Sequence, residues 1–231
     1  MNEENVKVKE TIEPKEETQK GQMIAVERRY YIESDFTDKL ANDFCQWVDD
    51  VVEFDELWEE QYPEKPLLPV VITISSRGGV VDSLNQMLDA MDDLRCPIIT
   101  EVRGFAYSCG LFLFARGDIR IMGNSSRLMY HAILWTADGS LQDQRENLEE
   151  SEKLMKTIDR MLIERTGIAK KTLDKHKRDK HDWFMTKDDA IKNGFVNFDG
   201  NLRDVLDTLD EVYEKEMEQV EEELQEDVKE D

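Results

Sequence analysis

The run from Leu67 to Ser75 is built of apolar and β-branched residues, the composition of a strand buried on both faces. It ends in Ser75-Ser-Arg-Gly-Gly79. The next stretch, Val80 to Leu94, places Val81, Leu84, Leu88 and Met91 at helical steps, which marks an amphipathic helix. Cys96 to Val102 then returns to strand character. A buried strand, a glycine turn, a helix and a second strand form a β-loop-α-β unit, and such a unit favours a parallel sheet with helices on its faces. At 231 residues the chain suits one domain of this kind with appendages.

The remaining pattern fits that scheme. Arg28 to Glu33 reads as a strand, and Phe36 to Phe54 as a helix with Leu40, Phe44, Trp47, Val51 and Phe54 on one stripe. A short apolar helix, Leu111 to Ala115, is followed by two short strands, Ile119 to Met122 and Arg127 to His131. Ser140 to Glu164 is long, charged and helical in period, with Leu148, Leu154, Ile158 and Leu162 aligned. Thr186-Lys-Asp-Asp189 resembles a capping box, with Asp in place of Glu, and opens a helix to Lys192 that Gly194 closes; Phe195 to Phe198 reads as a last strand. Residues 1–26 hold too few large apolar groups to fold alone and read as a flexible charged arm. Residues 201–231 form an acidic tail in which Leu206, Leu209, Tyr213, Met217, Val220, Leu224 and Val228 recur at helical steps. This is a helix with one apolar seam for a partner, or else a solvated, fraying one.

The formal net charge is −23, from 53 acids against 30 Lys and Arg, and it repels both a nucleic-acid backbone and an anionic membrane surface. No apolar run reaches the length of a membrane span, and the N-terminus lacks the apolar core of a signal peptide. Cys45, Cys96 and Cys109 lie far apart with no C-x-x-C spacing, so neither a disulfide framework nor a zinc site is indicated. These features describe a soluble, cytoplasmic protein.

The chemistry lies in the turns. Acyl transfer needs a nucleophile, a base, a group that orients the base, and N–H donors for the oxyanion. Ser108 sits at a strand-to-helix turn, Gly104-Phe-Ala-Tyr-Ser-Cys-Gly110, where it fits either a nucleophile or a plain helix N-cap. Ala106-x-Ser108-x-Gly110 is not the G-x-S-x-G elbow of the α/β-hydrolases. Gly78-Gly79 serves a tight turn, and the Gly79 and Cys109 N–H groups can converge on one oxygen, Cys109 lying just inside a helix start. Of three histidines, His131 ends a strand beside the one leading to Ser108, while His176 and His181 lie in a Lys- and Asp-rich segment that reads as exposed. Asp182 abuts Trp183-Phe-Met185, so it reads either as a partly buried carboxylate in need of a partner or, more simply, as an acid in a hydrophilic loop.

Ser75-Ser-Arg-Gly-Gly-Val-Val81, Gly104 to Gly110, Arg127-Leu-Met-Tyr-His131 and Asp182 to Gly194 resemble, in order and spacing, the Clp-type serine peptidases, over roughly Arg28 to Asp199. The resemblance implies an α/β fold, a Clp peptidase/crotonase-like spiral of β-α-β units with a protruding long helix, over residues 27–200. It implies Ser108 as nucleophile, His131 as base, Asp182 as orienting acid, and the Gly79 and Cys109 backbones as the oxyanion hole, with no metal or organic cofactor. It also implies a homo-oligomer, one heptameric ring or two stacked rings, whose chamber receives unfolded polypeptide from an AAA+ unfoldase.

The chain departs from the family pattern in several places. Arg77 stands where the family usually has Pro, and Val71 and Thr73 stand where bacterial members carry aromatics that receive the ATPase loops. Ala132 to Gly139 lacks the family's paired glycines, and His181 replaces a basic residue used between rings. With the acidic arm and tail, these departures describe a divergent member, of a kind a virus could encode and express in the host cytoplasm. They also keep two alternatives open: a Clp-like scaffold or regulatory subunit, and an acyl-CoA hydratase or isomerase of the crotonase type.

Overall fold

A computed structural model of the chain describes residues 26–132, 140–179 and 182–215. Residues 1–25 of the expected arm, 133–139, His181 and the tail beyond residue 215 lie outside the described residues. In chain order the elements are β1 (Arg29–Ile32), α1 (Asp38–Gln61), β2 (Val70–Ser76), α2 (Val81–Asp92), β3 (Ile98–Tyr107), α3 (Cys109–Arg116), β4 (Ile119–Met122), β5 (Arg127–Tyr130), α4 (Leu141–Thr166), α5 (Lys170–Asp179), β6 (Trp183–Met185) and α6 (Lys187–Lys192). A further helix, α7, spans residues 202–215.

The β2-α2-β3 unit forms as its periodicity predicts. The sheet runs β1-β2-β3-β5-β6, and β4 also pairs with β3. All pairs are parallel except β5–β6, which is antiparallel. Strand alternation sorts the side chains: Val70, Ile72 and Ile74 enter the main core beneath the helices, while Val71 and Ile99 point to the other face. There Leu202 and Val205 of α7 close over them and over Ile121. The start of the acidic tail helix is thus neither solvated nor held out to a partner; its apolar seam covers the chain's own sheet. Thr73, on this same face, is buried and accepts hydrogen bonds from Arg29, which is itself paired with Glu101 at 2.6 Å.

The helices begin and end where local chemistry dictates. Thr37 caps α1 by accepting from the Leu40 N–H, and the helix runs to Gln61 rather than Phe54 because Asp55 continues the buried stripe through an ion pair with Arg28. Ser140 with Asp143, and Thr186 with Asp189, form complete capping boxes at α4 and α6, so Asp serves where Glu is usual. On α4 the expected stripe is only half used. Ile158 and Leu162 are buried, whereas Leu148 and Leu141 are exposed, so the first half of the 26-residue helix protrudes.

Several assignments differ from the sequence reading. Phe195 to Phe198 forms no strand: the N–H groups of Asn197 and Phe198 both turn to one carbonyl, that of Arg120, and the Asn197 side chain caps the β4 backbone instead of extending a ladder. The segment around His176 is helical, as α5, and His176 is half-buried with its ring flat against Trp183.

Candidate functional site

β3 is ten residues long and carries a bend. Gly104, at φ 94°, interrupts it, and the Ser126 hydroxyl bridges the break by accepting from the Gly104 N–H and donating to the Val102 carbonyl. Beyond the bend, Phe105 to Tyr107 pair with β5, and the chain turns abruptly into α3 at Ser108.

Ser108 has φ 53° and ψ −120°, and it is the only residue other than glycine with positive φ among the described residues. Such a conformation costs about 1–3 kcal/mol and persists only where its surroundings enforce it. Its N–H donates to the Met129 carbonyl at 2.9 Å, while its own carbonyl accepts from Leu111 and Phe112. The residue occupies the N-cap place of α3, yet its side chain makes no capping hydrogen bond. The hydroxyl of this serine therefore does not cap α3.

The glycine loop touches this turn. A Cβ on Gly78 would stand 2.7 Å from the Ser108 Cβ and 3.2 Å from the Cys109 nitrogen, and one on Gly79 would stand 2.4 Å from the Phe36 carbonyl oxygen. Both glycines have positive φ, at 103° and 149°. Among the described residues neither the Gly79 nor the Cys109 N–H forms a turn, loop or cap hydrogen bond to a backbone carbonyl. The Cys109 thiol, which sequence reasoning passed over, donates to the Gly79 carbonyl at 3.4 Å and so ties the loop to α3. Burial pushes that thiol up, so it remains a protonated donor. Arg77 projects outward, its guanidinium 5.0 Å from the centre of the Phe105 ring.

His131 follows the last residue of β5, and Asp182 precedes the first residue of β6. In the β5–β6 register Leu128 faces Met185 and Tyr130 faces Trp183, so one further step sets His131 against Asp182. In the β3–β5 register Tyr107 faces Met129, which brings Ser108 and His131 to the same end of neighbouring strands. The topology thus gathers all three residues at one edge of the sheet. Among the described residues their side chains share no hydrogen bond. Asp182 is exposed, as an acid in a hydrophilic loop is, and is not partly buried against its apolar neighbours; Phe184 itself turns to solvent with 54% of its surface accessible.

Behind this edge lie residues that the sequence did not single out. The Tyr130 hydroxyl donates to Asp159 of α4, and Lys177 of α5 pairs with the same carboxylate. No spacing signals this set, since Asp159 is one acid among many on a charged helix. Among the described residues no group of three or more His, Cys, Asp or Glu is arranged to hold a metal ion, and no helix is long and apolar enough to cross a membrane.

A family model described as Clp protease matches residues 15–198. That stretch covers most of the chain and every strand of the sheet, and the chain belongs to the Clp protease family.

Proposed function

We propose that the protein is a serine endopeptidase that hydrolyses unfolded or flexible polypeptides by a Ser-His-Asp mechanism. The observation that carries this reading is Ser108: a strained backbone at the end of β3, a hydroxyl not spent on capping α3, and the strand ends bearing His131 and Asp182 beside it.

In the proposed reaction the Ser108 Oγ attacks a peptide carbonyl while His131 accepts its proton. The carbonyl oxygen gains negative charge as the tetrahedral intermediate forms, and the Gly79 and Cys109 N–H groups, together with the start of α3, stabilise it. His131 then protonates the leaving amine, the C–N bond breaks, and water hydrolyses the acyl-serine by the same route. Asp182 holds the imidazole tautomer and stabilises the imidazolium. Catalytic hydrogen bonds are commonly loose before substrate binds, so the absence of direct bonds among the three side chains is compatible with this mechanism.

The reading includes assembly into a heptameric ring or two stacked rings, with access for flexible polypeptide and an AAA+ unfoldase as partner. A second reading, a Clp-like scaffold or regulatory subunit with little activity, is favoured by one observation, the exposure of Asp182 to solvent. Hydrolysis of a small fluorogenic peptide by the native assembly, measured beside Ser108→Ala, decides between them. The peptidase reading requires turnover that Ser108→Ala abolishes and labelling of Ser108 by a fluorophosphonate. Wild-type turnover equal to that of Ser108→Ala, in protein of verified assembly, rejects it in favour of the scaffold.

A further inference from the structure

Tyr130 and Trp183 face each other across the β5–β6 pair and are the chain neighbours of His131 and Asp182. Their rings meet edge to face at 6.5 Å. Tyr130 is held from outside the sheet by α4 and Trp183 by α5, and Lys177 and Asp159 tie these two helices together. Tyr130 is fully buried, and its hydroxyl donates to Asp159 Oδ1 at 2.9 Å. The other oxygen of Asp159 accepts from Lys177 of α5, whose ammonium also meets Asp174 at 3.1 Å. One residue back on α5, His176 lies flat on Trp183, with centroids 4.2 Å apart and planes 3° from parallel. The path His176, Trp183, Tyr130, Asp159, Lys177 therefore leaves α5 and returns to it, enclosing the ends of β5 and β6.

Such a ring is costly to build. A carboxylate and an ammonium pay desolvation when buried, and well-packed apolar residues of similar volume are often no less stable. Burial and the neighbouring Asp159 push the Tyr130 phenol far up, so it stays a donor. Burial alone would lower Lys177, but its bonds to Asp159 and Asp174 outweigh that and hold it charged. None of these groups takes part in the proposed proton transfers.

We infer that Tyr130, Asp159 and Lys177, closed by the His176–Trp183 stack, are positioning residues that fix the ends of β5 and β6 and thereby the mutual geometry of His131 and Asp182. The inference rests on the serine-peptidase reading, and its test can fail independently of that reading.

The full-length protein is compared with Tyr130→Phe, which removes only an oxygen, and with Lys177→Met and Lys177→Arg at a site of partial exposure. Two quantities are read: kcat and KM on the fluorogenic peptide, and the pH midpoint of C2–H exchange of His131 by mass spectrometry, which needs no activity. Tyr130→Phe and Lys177→Met are expected to lower kcat by about ten- to a hundredfold, the scale of a misplaced catalytic group, with KM nearly unchanged. Both are also expected to shift the His131 exchange midpoint, and Lys177→Arg to restore both readouts. A merely structural role would lower Tm without moving that midpoint. An unchanged midpoint in both variants overturns the inference whether or not the protein hydrolyses peptide, as does an unchanged kcat in an active enzyme. If the wild type is inactive but both variants shift the midpoint, the positioning role stands and the peptidase reading falls.

Discussion

Replacing Gly78 by alanine isolates the contact between the glycine loop and the serine turn. The added Cβ would lie 2.7 Å from the Ser108 Cβ and 2.9 Å from the Tyr107 carbonyl, and neither neighbour is the free end of a flexible side chain. Restoring ordinary contact at 3.4 Å requires the loop to retreat by about 0.7 Å, and the Gly79 N–H retreats with it. A displacement near an ångström at a reacting centre costs up to about a hundredfold in rate, and losing one oxyanion donor costs about 10²–10³. The expected result is a kcat lower by about two orders of magnitude with KM little changed. The backbone contributes separately, since a φ of 103° strains an L residue by about 1–3 kcal/mol, or roughly 5 °C in Tm for a chain of this size. Gly167→Ala supplies the control: its φ of 71° imposes comparable strain, yet among the described residues nothing lies within 4 Å of the added methyl. Peptide hydrolysis and thermal melts of the two variants should show both losing stability and only Gly78→Ala losing activity. Activity of Gly78→Ala within threefold of wild type would refute the placement of the loop against Ser108.

Two further outcomes follow from the packing and the caps. Leu202→Ala, at the α7 seam over Val71, Ile99 and Ile121, should cost about 2 kcal/mol and lower Tm by about 4–8 °C; an unshifted melt would mean that α7 is not docked. Asp143 and Asp189 are held below the ordinary carboxylate range by hydrogen bonds from Ser140 and Thr186, side chain first and backbone second. A lowered folded-state value adds stability that is present above the unfolded value and is lost as pH falls through the folded one. Tm should therefore decline between about pH 5 and pH 2, and Thr186→Ala should flatten that decline; equal slopes for the two proteins would contradict it.

The parts legible in the sequence were those with strong apolar period. Val70 to Ile74 are buried as a two-faced strand requires, and of the stripe Val81, Leu84, Leu88 and Met91 the residues Leu84 and Met91 are buried while Val81 and Leu88 pack half-buried against the core, where Met87 takes the inner place. The family motifs carry Ser108, Gly79, His131 and Asp182 to one edge of the sheet through register, which no single motif encodes. α5 escaped notice because Leu173 is its only buried residue among charges. β6 escaped because three residues show no period. The strand read over Cys96 to Val102 is instead Ile98–Tyr107, because β3 bends at Gly104 and continues. The exposure of Asp182 and the ring through Asp159 depend on where α4 and α5 pack. That packing joins residues separated by 29 positions between Tyr130 and Asp159, and by 18 between Asp159 and Lys177.

The bend in β3 has a counting consequence. Ile74 faces Val102 but Ser76 faces Ala106, so β3 advances four positions while β2 advances two. On the opposite edge Val102 faces Met122 but Phe105 faces Arg127, so β3 advances three positions while its neighbour advances five. Path length grows from strand to strand, as lanes lengthen toward the outside of a curved track, and the sheet turns a corner at Gly104. The surplus in residues 123–126 thus sets the phase of everything after it. Removing one residue there would exchange the faces of Leu128 and Met129 and carry His131 to the wrong side, however well its own strand were preserved.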